Sequence, residues 1–254
     1  MINLKNLVIY ISGSNGKIGF SISKHILKYG GKLVLGDINI KKCKTLQKKF
    51  GNKNIIIIKG DHTKSKTIEK TLKTTKKKFG KIDAAINCAY PHTKDWGTPF
   101  EKLKKQILNK NINFQLGGTI IFSQKLMNFF KKQKKGNLIL ISSILGTNAP
   151  KFFQYKNLKM NSPIEYSAVK AGIIAITKYL AEFYKKKNIR VNCISPGGII
   201  SNQPKFFKSR YKKLCASKGL LVAEDLNEIL SYLISDQSKY VNGQNFVIDD
   251  GWSL

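Results

Sequence analysis

The sequence predicts an α/β fold of the doubly wound Rossmann type. The expected form is a parallel sheet of about seven strands with helices on both faces, in one domain over residues 1–254. Three observations predict it. Short apolar runs alternate with amphipathic stretches along the whole chain, the pattern of repeated βαβ units. The runs are apolar nearly throughout, as strands buried on both faces require. The first run enters a glycine-rich turn that opens directly onto an amphipathic stretch. The right-handed crossover rule then selects the doubly wound arrangement.

The elements follow in order. A first strand is expected near residues 7–12, where 7–11 is apolar and β-prone. Ser12-Gly13-Ser14-Asn15-Gly16-Lys17-Ile18-Gly19 comes next. Its glycines permit a tight turn and a close approach to a pyrophosphate, whose charge a helix N-terminus favours. A helix over 17–29 leads to a strand at 32–36, which ends in Gly36-Asp37. Asp37 lies 18 residues after Gly19, near the spacing of a carboxylate that holds a ribose 2′-hydroxyl. Helices are further expected near 39–50, 65–79, 100–112, 115–134, 163–186 and 223–234, and strands near 55–59, 82–87, 137–142, 189–194 and 245–249. Residues 147–162 and 201–219 break the alternation, and the first of these contains Pro150, Phe152, Phe153, Tyr155 and Met160. Ligands of open α/β sheets sit beyond the carboxyl ends of the strands, so both segments are expected to shape substrate binding. The lysine runs 76–78 and 185–187 fall at helix ends, where cations complement the macrodipole.

Composition narrows the function classes. Apolar residues make up 42% and aromatics 10%, which excludes a disordered chain. The net charge is +32, yet only Arg190 and Arg210 are arginine and the lysines spread along the whole chain. A dedicated nucleic-acid binder clusters its cations and uses arginine forks. Lysine, asparagine and isoleucine enrichment together point instead to an AT-rich coding background, so no specific nucleic-acid partner is expected. The surface should still draw in anions, which makes an anionic or carbohydrate small molecule the expected substrate. Cys43, Cys88, Cys193 and Cys215 form no C-x-x-C pair, and His25, His62 and His92 are scattered. Neither a disulfide framework nor a metal site is expected. No apolar run approaches the roughly 18 residues of a membrane span, and the first apolar run reads as a strand rather than a signal peptide. The expected location is the cytoplasm.

The chemistry centres on Tyr166-Ser167-Ala168-Val169-Lys170. Residues i and i+4 share one helix face, so a phenol and an ammonium stand side by side. The ammonium is expected to lower the Tyr166 pKa and make it a general acid/base. Ser142 and Ser143 end an apolar strand upstream. Asp37 favours NAD over NADP: it accepts from ribose hydroxyls and repels a 2′-phosphate. Lys17, Lys41 and Lys42, whose charges are screened by salt, only soften that repulsion.

With these motifs in order, nearly the whole chain resembles the short-chain dehydrogenase/reductase superfamily. Asp61 looks like its adenine-contacting Asp, and Asn87-Cys88-Ala89 resembles its Asn-Asn-Ala-Gly motif. Ser143-Ile144-Leu145-Gly146 resembles its catalytic-serine strand, and Tyr166 with Lys170 its catalytic pair. Asn192 to Gly197 looks like the turn that holds nicotinamide, and Asn242-Gly243-Gln244 with Asp249-Asp250-Gly251 resembles the C-terminal signature. Asn87-Cys88-Ala89-Tyr90-Pro91, the stretch 238–244 and the ending 249–254 are similar to a branch of flagellin-modification and surface-polysaccharide oxidoreductases.

The resemblance implies a cofactor set of Gly13, Asn15, Gly16, Lys17, Ile18, Gly19, Asp37, Ile38, Asp61, His62, Asn87, Cys88, Ala89, Tyr166, Lys170, Pro196, Gly197 and Ile199. It implies proton exchange by Tyr166, support from Lys170 and a substrate hydrogen bond from Ser143 rather than Ser142. The family's relay Asn aligns with Gln115, a departure; Asn113, about 200° around a continuous helix, does not substitute for it. Ser143 and Tyr166 lie 23 residues apart, farther than the family usually places them, so the extra residues are expected at the mouth of the site. The implied activity is nicotinamide-dependent hydride transfer on a sugar, sugar phosphate or nucleotide sugar. The alternatives are a 3-oxoacyl-thioester reductase and a non-catalytic dinucleotide- or nucleic-acid-binding protein. Helices 115–134 and 163–186, together with the C-terminal tail, imply a homotetramer or a homodimer.

Overall fold

The computed structural model describes residues 2–254. Seven strands form one sheet: β1 (Val8–Ser12), β2 (Lys32–Asp37), β3 (Ile55–Lys59), β4 (Ala84–Asn87), β5 (Gly136–Ile141), β6 (Ile189–Pro196) and β7 (Asn245–Ile248). The order is β3-β2-β1-β4-β5-β6-β7, and every neighbouring pair is parallel. This is the doubly wound order, with its switch point between β1 and β4.

Strand periodicity divides the core into two layers. Ile9, Ile11, Leu33 and Leu35 face α1 (Lys17–Lys28), α2 (Lys41–Phe50) and α8 (Asn227–Ile234) through Ile22, Ile26, Leu46, Leu230 and Leu233. Val8, Tyr10, Val34 and Leu138 face α3 (Ser65–Phe79), α5 (Gly118–Gln133) and α6 (Ile164–Phe183) through Ile68, Phe122, Leu126, Phe130, Val169 and Ile173. A third, smaller cluster of Ile144, Phe207, Tyr211, Leu220 and Trp252 lies apart from both. It packs α7 (Lys205–Lys212), inside the segment 201–219, against the chain's end.

Several boundaries differ from expectation. The stretch 100–112 is a 3-10 turn at Phe100–Lys102 followed by α4 (Lys105–Ile112), and α8 is preceded by a 3-10 turn at Ala223–Leu226. Residues 105–133 do not form a regular α-helix, because Asn113–Gly117 is a π-turn between α4 and α5. The regular 100° per residue of an α-helix therefore does not hold at Asn113, and its expected position about 200° from Gln115 does not apply. Paired glycines at 117 and 118 ease such a break, and a Cβ at Gly118 would meet the Thr63 side chain at 2.8 Å. The lysines at helix ends cap carbonyls: Lys76 Nζ donates to Gly80 O at 2.7 Å and Lys78 Nζ to Asn52 O at 2.6 Å.

Among the described residues, no helix is long and apolar enough to cross a membrane. None of their His, Cys, Asp and Glu side chains gather in a group of three or more able to hold a metal.

Candidate active site

A cleft of about 990 Å³ opens along the carboxyl ends of the strands. Its first wall is the glycine turn. Gly13 sits at φ +70°, and a Cβ there would meet the Cys88 and Ala89 backbone at 2.6 Å. A Cβ at Gly19 would lie 2.3 Å from Gly13 O. Only glycine allows β1 to turn this tightly against β4 and to present the start of α1 to the cleft. Asp37, at the tip of β2, accepts from Asn15 N and Asn39 N, both at 2.9 Å. Asp61 is held by Thr63, whose N and Oγ1 donate at 3.0 and 2.7 Å.

His62 is buried beneath this end of the cleft. Its Nε2 faces Ile58 O at 3.1 Å, so it donates there, and Nδ1 accepts from the Tyr10 hydroxyl. Burial lowers the His62 pKa and keeps the ring neutral.

Lys17 points away from Asp37. Its ammonium crosses the cleft to donate to Ile200 O at 2.7 Å. Lys42 rests its ammonium over the Phe20 ring at 5.4 Å. Neither is drawn to the Asp37 carboxylate.

At the far end Ser143, Tyr166 and Lys170 come together. Ser143 begins the turn after β5, where its Oγ accepts from Leu145 N at 3.2 Å. Ser142 points the other way and donates to Lys170 O at 2.7 Å, which ties β5 to α6. Both serines line the cleft, but the Ser142 hydroxyl is taken up by α6. Burial raises the Tyr166 pKa, while the hydrogen-bonding Ser143 hydroxyl beside it pulls in the opposite direction. This corrects the expected depression by Lys170. The lysine ammonium donates to Ile141 O at 2.9 Å and lies 5.5 Å from the centre of the Tyr166 ring, over its face. Burial brings the Lys170 pKa down to about 8.

Aromatic side chains wall the substrate end. Tyr90 meets Tyr166 and Trp96 edge to face at 5.9 and 5.7 Å, and the Lys170 ammonium sits 5.4 Å from its ring. Trp96 meets Tyr166 at 6.2 Å. Opposite stand Tyr155, from a 3-10 turn at Phe152–Tyr155, and Phe207 and Tyr211 of α7. Tyr155 contacts Phe207 at 5.3 Å, and Tyr211 stacks on Trp252 at 5.8 Å.

Eighteen of the sequence-selected residues can be placed by this cleft: the six of the glycine turn, Asp37, Ile38, Asp61, His62, Cys88, Ala89, Ser143, Tyr166, Lys170, Pro196, Gly197 and Ile199 line it. Asn87 and Gln115 do not. Asn87 holds the scaffold instead, accepting from Ser12 Oγ at 2.6 Å and donating to Thr119 Oγ1 at 3.3 Å. Gln115 is buried in the π-turn with neither amide atom partnered. Its backbone carbonyl accepts from Thr119 Oγ1 at 2.7 Å.

His92, Trp96, Gln154, Tyr211 and Trp252 also line the cleft. Gln154 and Tyr211 fall in the segments 147–162 and 201–219 expected to shape substrate binding, whereas His92, Trp96 and Trp252 had no expected place in it.

A family model described as enoyl-(acyl carrier protein) reductase matches residues 13–253. Post-translational flagellin modification protein A of Campylobacter coli is 42% identical over 256 residues, covering 99% of this chain and 100% of that protein. A 3-oxoacyl-[acyl-carrier-protein] reductase of Buchnera aphidicola is 28% identical over 253 residues, covering 96% of each. A crystal structure of a short chain dehydrogenase from Leptospira borgpetersenii with bound NAD+ superposes with a TM-score of 0.88 at 31% identity, covering 98% of this chain and 94% of that one.

Proposed function

The chain belongs to the short-chain dehydrogenase/reductase family and is a nicotinamide-dependent oxidoreductase, and from that premise we propose that it interconverts a carbinol and a carbonyl on a sugar or sugar derivative of a surface-glycan or flagellin-modification pathway, using NAD. The observation that carries the chemistry is the convergence of Ser143, Tyr166 and Lys170 on one end of the cleft. The pathway rests on the full-length likeness to the Campylobacter coli protein.

A bound nicotinamide supplies or takes the hydride. The glycine turn offers its backbone and the α1 N-terminus to a pyrophosphate. Asp37 is anchored by two amides and accepts from a ribose 2′-hydroxyl, while a 2′-phosphate meets its negative charge with Lys17 and Lys42 turned elsewhere. Tyr166 rests as a neutral phenol, so in carbonyl reduction its hydroxyl gives the proton to the nascent alkoxide, and in oxidation it receives it. Ser143 donates to the same substrate oxygen. With a nicotinamide cofactor bound, Lys170, which donates to Ile141 O, would also reach its ribose hydroxyls beside Tyr166 and stabilise the phenolate formed in reduction. A relay through the Gln115 amide requires the π-turn to rearrange, since that amide is buried away from the cleft.

A second reading is reduction of a 3-oxoacyl thioester, which the Buchnera aphidicola relative favours. Both readings are tested together by following NADH at 340 nm with a panel of sugars, sugar phosphates and nucleotide sugars, and with acetoacetyl-coenzyme A beside them. Turnover of a panel sugar, cut by about 10²–10⁴-fold in Tyr166→Phe with NADH binding retained, supports the proposal. Thioester reduction without sugar turnover overturns it in favour of the second reading.

A further inference from the structure

The substrate end of the cleft carries one ammonium, Lys170, and one imidazole, His92, and no carboxylate or guanidinium. Among the described residues, the carboxylates and ammoniums that line the cleft are Lys17, Asp37, Asp61 and Lys170, and its imidazoles are His62, buried on Tyr10 and Ile58 O, and His92, whose Nδ1 faces Thr93 O at 3.0 Å. Lys17, Asp37 and Asp61 belong to the glycine turn and the ribose and adenine end. Lys170 is committed to Ile141 O and to Tyr166. Arg210 lies close behind the substrate wall, but its Nη1 donates to the carbonyls of Gln154 and Lys156 at 3.3 and 2.6 Å. Lys151 stands over the Trp252 ring at 5.7 Å but does not line the cleft. In a chain with 46 basic residues, this scarcity runs against the rest of the surface.

Neutral donors occupy the same wall. Gln154 is 1% exposed and lines the cleft, yet its Nε2 has no acceptor. Trp252 is 2% exposed and lines the cleft, and its Nε1 also has no acceptor. Buried N–H groups in proteins are almost always paired, because leaving them unpaired costs their desolvation. Two such donors lie at one end of one cleft, and although both N–H groups are shielded from solvent, a turn of each side chain would offer them to acceptors that arrive with a ligand. Aromatic rings surround them, and rings of this kind pack against the apolar C–H faces of a sugar. An ionised phosphate or carboxylate here would lose its water and find no free cation.

We propose that the substrate end of the cleft recognises an uncharged, hydroxyl-bearing ring, with the Gln154 amide and the Trp252 indole N–H as its neutral donors and Trp96, Tyr155 and Phe207 among its aromatic walls. The inference rests on the sugar-oxidoreductase reading above and narrows it: the part of the substrate that enters carries no phosphate or carboxylate. Of the anionic or carbohydrate substrate expected from the sequence, it selects the carbohydrate.

The test is calorimetric titration of the enzyme–NADH complex with glucose, N-acetylglucosamine, glucose 6-phosphate and glucuronate. The neutral sugars are expected to bind at least about tenfold more tightly than the ionised ones. Gln154→Leu, and separately Trp252→Phe, which keeps the ring and removes the N–H, are each expected to weaken neutral-sugar binding by about tenfold. The NADH titration should be unchanged in both. Ionised sugars binding as tightly as neutral ones overturns this inference alone, as does unchanged sugar binding in both variants. Absence of binding by every sugar, with acetoacetyl-coenzyme A turned over, overturns the sugar reading and this inference with it.

Discussion

Asp37 and Lys170 show how far single residues carry the proposal. Asp37 is set by two backbone amides rather than by a cation, so its charge remains available to choose between a hydroxyl and a phosphate. Asp37→Ala is expected to weaken NAD binding by about tenfold and to narrow the gap to NADP. Fluorescence titration with both reduced cofactors measures this, and a wild type that already prefers NADPH would remove Asp37 from the ribose site. Lys170 is a cation kept in a buried place, with its pKa brought to about 8. Its ammonium is present below that pH and disappears as pH rises through it. NADH affinity should therefore fall above about pH 8 in the wild type, while Lys170→Met should show weak binding with no such limb. The same fluorescence titration across pH decides it. The motif predicted the neighbours correctly but the direction of the Tyr166 shift wrongly. A spacing of i to i+4 gives proximity, whereas the Tyr166 pKa is raised by burial, to which Tyr90 and Trp96 from a distant loop contribute, against the Ser143 hydrogen bond.

At the scale of elements, the segments that break the alternation are joined. Tyr155 packs on Phe207, and Arg210 of α7 holds two carbonyls of residues 154–156. The insertion and the helix thus form one wall. Beneath it, Asp250 at φ 56° gathers the amides of Ser217, Lys218 and Gly219, and these bonds hold its pKa down at about 2. Arg210→Ala should leave NADH binding intact but raise the substrate KM roughly tenfold, as expected when a charged hydrogen-bond donor is lost. Hydrogen exchange over 151–158 should quicken, and Arg210→Lys, lacking the planar fork, should not restore it. Unchanged exchange would mean that the two segments act separately.

The strands were legible because most carry a short apolar run, even β6 around Arg190 and Asn192, and the glycine turn because its residues have few alternatives. The wall was not, since Arg210 meets Gln154 across 56 residues and Trp252 meets Tyr211 across the chain's end. The π-turn was equally hidden. It is flanked by Gly118, which lies against Thr63, and by the buried Asn111, which accepts from Thr93 N at 3.0 Å and donates to Glu165 Oε1 at 3.3 Å.

For the whole molecule, the faces that the fold leaves uncovered matter most. One stripe of α6 packs on the sheet through Val169, Ile173 and Thr177. A second is left bare: Tyr179 and Phe183 are 66% and 65% exposed and stack on each other at 5.9 Å. Ile164 at the start of the same helix, Ile120 on α5 and Phe114 in the π-turn are also exposed. Together these residues place apolar side chains on adjoining helices, where solvent contact is unfavourable and a partner surface would remove it. A two-fold axis through α5 and α6 would pair each such face with its copy. The C-terminal end divides. Trp252 folds back into the third cluster, whereas Leu254, Tyr240 and Val247 stay exposed beside the β7 edge. We therefore expect the helix pair to form the stronger contact and the β7 edge to complete a tetramer. Replacing Tyr179 and Phe183 with serine should reduce the particle to the dimer held by the β7 edge or to a monomer, with β1–β7 and NADH binding retained. Light scattering at micromolar concentration reads the mass directly. A monomeric wild type would exclude both interfaces, and an unchanged tetramer in the double variant would move the principal contact away from α6.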